Sequence, residues 1–241
     1  MQDAFSRTRM LLGQDALDAL AAARVAIFGV GGVGGYAAEA LARSGVGRLD
    51  LIDSDKISVT NLNRQLLATT KTLGKYKVDV AEERILDINP ACLVRTYKTF
   101  FLPETQDLFD FSAYDYVVDA IDTVAGKLQL AECAKKAGTP IICSMGAGNK
   151  MDASLFRVAD IYETSVDPLA RVMRTECRKR GIESLKVVFS TEPPLQPKEK
   201  STEDTQKRAV PGSVSFVPGA AGLILAGEVV KDLTGFQRNG G

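Results

Sequence analysis

Residues 24–35 read RVAIFGVGGVGG. The run Arg24–Gly29 is short, apolar and closed by glycine. A glycine-rich turn comes next, and then an alanine-rich stretch from Val33 to Arg43 with helical spacing. Strand, tight turn and helix in that order form a phosphate-binding unit. Glycines let the backbone turn sharply and approach a ligand, and a helix N-terminus offers unpaired N–H groups at the positive end of its dipole. Gly29, Gly31, Gly32 and Gly34 are the cradle candidates. The next apolar run, Arg48–Asp53 (RLDLID), ends in Asp53, where a carboxylate accepts ribose hydroxyl groups. The pattern predicts a nucleotide site without saying which nucleotide. NAD or FAD is the usual reading of such a turn, and an ordinary tight strand–helix turn is the plain alternative.

Outward from this unit, helical spacing at Lys75–Ile88, a strand at Val94–Tyr97, a strand at Tyr114–Ala120 (YDYVVDA), a helix at Val124–Ala137 and a strand at Pro140–Ser144 continue the alternation. Strands alternating with helices predict an α/β, doubly wound, mainly parallel sheet of Rossmann type. Beyond residue 145 the pattern loosens. Leu155–Ala159 reads as a strand, Asp167–Arg180 as a basic amphipathic helix, Val187–Phe189 as a short strand and Ala220–Leu233 as a closing apolar helix. The stretch 191–208 (TEPPLQPKEKSTEDTQKR) is rich in proline and charge and reads as a mobile loop. One domain is expected, with a nucleotide-binding half at 1–145.

The chain has 241 residues, with 30 Lys+Arg against 30 Asp+Glu. With no net charge, contact with nucleic acid or anionic membrane must rest on a local patch. There is no histidine, which excludes Ser-His-Asp and Cys-His nucleophile pairs and every histidine metal site. The cysteines at 92, 133, 143 and 177 form no C-x-x-C pair, so neither a zinc ribbon nor a disulfide framework is expected. No apolar run approaches the roughly 20 residues that span a bilayer, and a cytoplasmic, soluble protein is expected.

The residues beyond Asp53 alter the dinucleotide reading. Asp55, then TNLNRQ (60–65), then GKYKV (74–78) place an arginine and a lysine just past the ribose carboxylate. A dehydrogenase has no use for them there. Arg64, a planar fork, and Lys77, a point charge, suit the oxygens of a triphosphate. Two solvated surface cations are the bland alternative.

Taken together, the series Gly29-x-Gly31-Gly32-x-Gly34, Asp53-x-Asp55, Asn61-x-x-Arg64-Gln65, Gly74-x-x-Lys77-Val78 and Asp119-Ala120-x-Asp122 resembles the E1-like adenylating family. That family comprises the ubiquitin-activating enzymes and their bacterial relatives in thiamine and molybdopterin synthesis. The resemblance runs from about Phe5 to the final helix. AEALARSGVG (38–47), NLNRQ (61–65), DPL (167–169) and VFSTE (188–192) are similar to the branch that acts on tRNA, closing a ring on a modified adenosine beside the anticodon at the expense of ATP.

The resemblance implies a substrate and dimer half at 146–241 and a role for each candidate residue. The glycines hold ATP phosphates, and Asp53, with Asp55 beside it, binds the ribose. Asn61, Arg64 and Lys77 contact the triphosphate, and Asp122 positions Mg²⁺. Arg7 reaches into the partner's ATP site in a homodimer, although Thr8 stands where relatives carry Gln. A helix cap is the structural alternative for Asp122. The family's zinc-holding C-x-x-C pairs are missing, so no zinc is expected. Arg174, Arg178, Lys179 and Arg180, with Arg171, Lys186 and the loop residues Lys198, Lys200, Lys207 and Arg208, are the candidate tRNA patch, or else a solvated face. GAGNK (146–150) is a candidate substrate mouth. Cys177 in its cationic setting reads either as a reactive thiol or as a half-buried structural cysteine. A sulfur-transfer protein is a possible further partner. The alternative functions are an adenylyltransferase of a ubiquitin-like sulfur carrier, an NAD-binding Rossmann protein and a non-catalytic scaffold.

Overall fold

A computed structural model describes residues 3–199 and 210–236. Two short helices, α1 (Ser6–Leu12) and α2 (Gln14–Ala22), precede β1 (Arg24–Phe28). The chain continues through α3 (Gly34–Ser44), β2 (Arg48–Ile52), α4 (Lys77–Ile88), β3 (Leu93–Tyr97), β4 (Tyr116–Asp119), α5 (Val124–Ala137) and β5 (Ile141–Ser144). It ends with β6 (Phe156–Asp160), α6 (Pro168–Lys179), β7 (Lys186–Ser190) and α7 (Phe216–Thr234). The strands form one seven-stranded sheet in the order β3-β2-β1-β4-β5-β7-β6. All pairs are parallel except β6 with β7.

Four of the five residues of β1, Val25–Phe28, are buried, as a central parallel strand covered on both faces requires. Alternation sorts them. Val25 and Ile27 join a core with Leu41 of α3, Val78 of α4 and Leu225 of α7. Ala26 and Phe28 face Phe101, Phe109 and Phe111 on the other side. Phe28 meets Phe101 edge-on with centroids 5.0 Å apart, a favoured aromatic geometry. Farther along the sheet, Cys143, Val187 and Phe189 pack with Met173 and Cys177 of α6.

After β1 the chain winds toward β2 and β3, and after β4 it winds toward β5 and β7. The carboxyl ends of β1 and β4 therefore flank the crevice in which such sheets bind ligands.

Three features differ from the sequence expectation. The α1–α2 pair is added before β1. The last helix starts at Phe216, with Pro218 in its first turn, where a missing N–H breaks no helical bond. The supposed mobile loop begins anchored: Thr191 N–H donates to Leu155 O at 3.1 Å and Leu195 N–H to Asn149 O at 2.7 Å. Its polar composition had concealed that the Glu192 carboxylate accepts from the backbone N–H groups of Met151 and Asp152. Residues 200–208, with Lys200, Lys207 and Arg208, lie outside the described residues.

Candidate functional site

At the end of β1, Gly29 takes φ +87, and a Cβ there would stand 2.7 Å from Ala120 O. Only glycine combines that conformation with so close an approach of the β4 loop. A Cβ on Gly34 would overlap Gly29 O, so the turn closes tightly on itself before α3 begins. The start of α3 carries no side-chain cap. Gly35 N–H already donates to Gly31 O at 3.0 Å, so the N–H groups offered to an anion are those of the turn that precedes it.

Asp53 braces this turn. Its Oδ2 accepts from Val30 N–H at 2.8 Å, and its Oδ1 accepts from Asp55 N–H at 2.8 Å. Burial raises its pKa, opposed by the charge of Lys77 and the two backbone donors. Lys77, only 5% exposed, places Nζ 2.6 Å from Asp55 Oδ2 and 3.8 Å from Asp53 Oδ2. Three residues separated in sequence are brought together beside the glycine turn, and Lys77 is no solvated surface cation.

Arg64 stands on the other side. Its Cγ is 3.7 Å from the position of a Cβ on Gly32, and its Nη1 donates to Thr60 O at 2.7 Å and to Asn63 Oδ1 at 3.1 Å. The stem borders the turn while the guanidinium is folded onto its own loop. Asn61 is buried, and its side-chain oxygen accepts from Ser58 N–H at 3.1 Å.

Asp122 is exposed on the loop after β4. The α5 cap position falls on Thr123 rather than on Asp122. Beneath that loop, Asp119 and Lys127 form a fully buried ion pair at 3.1 Å, and Asp119 Oδ1 also accepts from Ile121 N–H. Among the described residues no cluster of three or more Cys, Asp or Glu side chains is arranged for a metal. Mg²⁺ as a class keeps several waters and takes one or two carboxylates plus substrate phosphates, and Asp122 is the exposed carboxylate on this loop.

Several wall residues had no sequence signal, because their partners are far along the chain. Asn63 Nδ2 donates to Ser213 O at 3.0 Å. Pro218 packs 3.4 Å from the Cβ position of Gly32. Asn149 and Gly212 exchange two hydrogen bonds of 2.7 Å. The segment 211–218 therefore ties the loop after β5 to the glycine turn. Gly146–Asn149 stay partly open there, but Lys150 turns inward. Its Nζ donates to Glu192 O at 3.0 Å and lies 3.7 Å from the buried Asp167.

The basic helix α6 is largely engaged within the chain. Arg174 donates to Thr164 O at 2.7 Å, while Lys179 and Arg180 pair with Glu176. Arg178 lies over the Tyr162 ring at 5.2 Å, and Arg171 is exposed. Lys186, at the amino end of β7, pairs with Glu228 and Asp232. Arg7 is exposed on α1. Cys177 is fully buried, and burial pushes its thiol up to about 11. Such a thiol is a poor nucleophile. Cys177→Ala is expected to leave AMP formation within about twofold of the parent, and iodoacetamide is expected to leave the native thiol unlabelled.

The ThiF family profile matches residues 5–240. The tRNA threonylcarbamoyladenosine dehydratase of Bacillus subtilis (strain 168) is 45% identical over 238 residues, covering 95% of this chain and 94% of that protein. The enzyme of the same name from Escherichia coli K12 is 37% identical, covering 86% and 81%. Crystal structures of E. coli tRNA N6-threonylcarbamoyladenosine dehydratase superpose with TM-scores of 0.87 for the AMP complex and 0.86 for the ATP complex. Each is 33% identical and covers 96% of this chain and 94% of that one.

Proposed function

This chain belongs to the ThiF family, and from that premise we propose how its residues perform the family's chemistry. It is an ATP-dependent enzyme that removes water from threonylcarbamoyladenosine in tRNA. The reading of the site is carried by one observation, the convergence of Lys77 with Asp53 and Asp55 beside the glycine turn.

In this reading, residues 1–145 hold ATP and residues 146–241 present the tRNA. Asp53 accepts the ribose hydroxyls, and the N–H groups at Gly31–Gly34 receive the phosphates. Arg64 unfolds from Thr60 O toward the outer phosphates and Lys77 offsets their charge. Asp122 is the residue that would hold Mg²⁺, which would supply charge neutralisation on the triphosphate. The threonyl carboxylate attacks the α-phosphorus and pyrophosphate leaves. The neighbouring carbamoyl nitrogen then attacks the acyl carbon and loses its proton, and the C–O bond to AMP breaks. Attacker and target are already tethered, so the second step gains a large proximity advantage and needs no covalent enzyme intermediate. This fits a chain without histidine and with Cys177 sealed. The exposed Arg7 reaches a partner's site in a homodimer, and Arg171 and Arg178 meet tRNA phosphates in a salt-dependent way. The working compartment is the cytoplasm. Among the described residues no helix is long and apolar enough to cross a membrane.

Mixing the protein with ATP–Mg²⁺ and threonylcarbamoylated tRNA is expected to release AMP and yield a nucleoside lighter by one water. Unmodified tRNA is expected to release none. AMP release that requires a ubiquitin-like carrier protein instead would overturn the tRNA reading. A thermal shift with NADH and none with ATP would overturn the nucleotide assignment.

A further inference from the structure

We infer that Gln65 reads the α-phosphate of ATP. Its side-chain amide nitrogen donates to a non-bridging oxygen there, a role that rests on the ATP reading of the site.

Gln65 is 8% exposed, and its backbone is pinned by a 2.9 Å hydrogen bond from its N–H to Asn61 O. A Cβ added to Gly31 would have one neighbour within 4 Å, the Gln65 Nε2 at 3.7 Å. The amide nitrogen thus fills the space beside the glycine turn. The other end of the same amide, Oε1, is buried with no hydrogen-bond partner. A buried, unpaired polar atom destabilises a fold, and its retention calls for a reason. The reason is on the Gly31 side. The N–H groups at the uncapped start of α3 are all donors, so the ligand that fits there is rich in acceptors, and a further N–H belongs to the same set.

Position along the nucleotide selects the phosphate. Asp53, the ribose carboxylate, is bonded to Val30 N–H, immediately before Gly31. On that ground we place Gly31 beside the phosphoryl group nearest the ribose. Carboxylate attack at the α-phosphorus builds negative charge on its non-bridging oxygens, and a donor already in place stabilises that charge.

The test uses opposite signs. Gln65→Met keeps the length and removes both polar atoms. The ligand-free protein is expected to melt about 2–6 °C higher, while affinities for ATP and for AMP, titrated by calorimetry, both fall about tenfold. Gln65→Glu turns a charged oxygen toward the phosphate and is expected to weaken both by about a hundredfold. A lower melting point with unchanged affinities makes Gln65 merely structural and overturns the inference. So does a loss confined to ATP with AMP binding intact, which would move the contact to the outer phosphates. If the unaltered protein binds neither nucleotide, the ATP reading itself fails. If it binds both and the variants match it, the Gln65 role alone fails.

Discussion

Lys77→Met is expected to lower AMP formation on modified tRNA by about 10³-fold, the scale seen when one preorganised charge-stabilising donor is lost. Methionine preserves the length and apolar stem of the side chain and deletes its charge. That charge sits 2.6 Å from Asp55 and 3.8 Å from Asp53 in a nearly sealed position, so it acts at lower effective dielectric than a surface lysine. Its removal also leaves two carboxylates facing each other beside a triphosphate. Burial already raises the Asp53 pKa, and the Lys77 charge opposes that rise. The variant therefore holds Asp53 protonated at higher pH.

The pH effect has a definite sign. A carboxyl whose folded pKa lies above its unfolded value binds more protons in the folded state. Its contribution to stability grows as pH falls through the folded pKa. If Asp53 binds the ribose as proposed, the ionised carboxylate is the better acceptor, and ATP affinity is expected to fall over the same range. In the parent this acid limb is expected above 3.8, the ordinary value for Asp, and in Lys77→Met it is expected to move to higher pH. Calorimetric ATP titrations between about pH 5 and 8 read the shift. A variant with parental turnover and an unmoved acid limb would remove Lys77 from the site.

The second large effect concerns a methyl group. Gly34→Ala puts a Cβ on top of Gly29 O, a backbone atom with nowhere to go because Gly29 itself is pressed against Ala120. The expected loss is about 4 kcal/mol or more, at the upper end for a point substitution. Urea denaturation, or failure to recover soluble protein, measures it. Gly227→Ala on α7 is the control. Nothing lies within 4 Å of its Cβ position, and alanine in an exposed helix is expected to stabilise by about 0.5–1 kcal/mol. Equal behaviour of the two variants would show that the turn is looser than its close contacts imply.

Local and distant contacts differ in how far residue order reveals them. Periodicity is a local signal, so β1, α3, β2 and α5 were visible from runs such as RVAIF and from glycine punctuation. The cradle glycines, Asp53 and Lys77 were singled out by residue type and order, and the fold brings them together. That Arg174, Lys179 and Arg180 already have partners inside the chain was not visible. A run of cations looks the same whether it faces water or Thr164 and Glu176. Gln65 stood in the NLNRQ motif, yet its significance rests on an oxygen that finds no donor, which only three-dimensional packing decides. The wall formed by Ser213 and Pro218 was hidden for the same reason, since no local pattern links Asn63 to a residue 150 positions away.

That wall bears on how the protein is made. Translation delivers the glycine turn about 180 residues before the segment that closes over it. Pro218 on Gly32 and Gly222 against Val33 arrive only as α7 emerges from the ribosome. Until α7 is made, the glycine turn lacks the contacts of Pro218 and Gly222 that close over it.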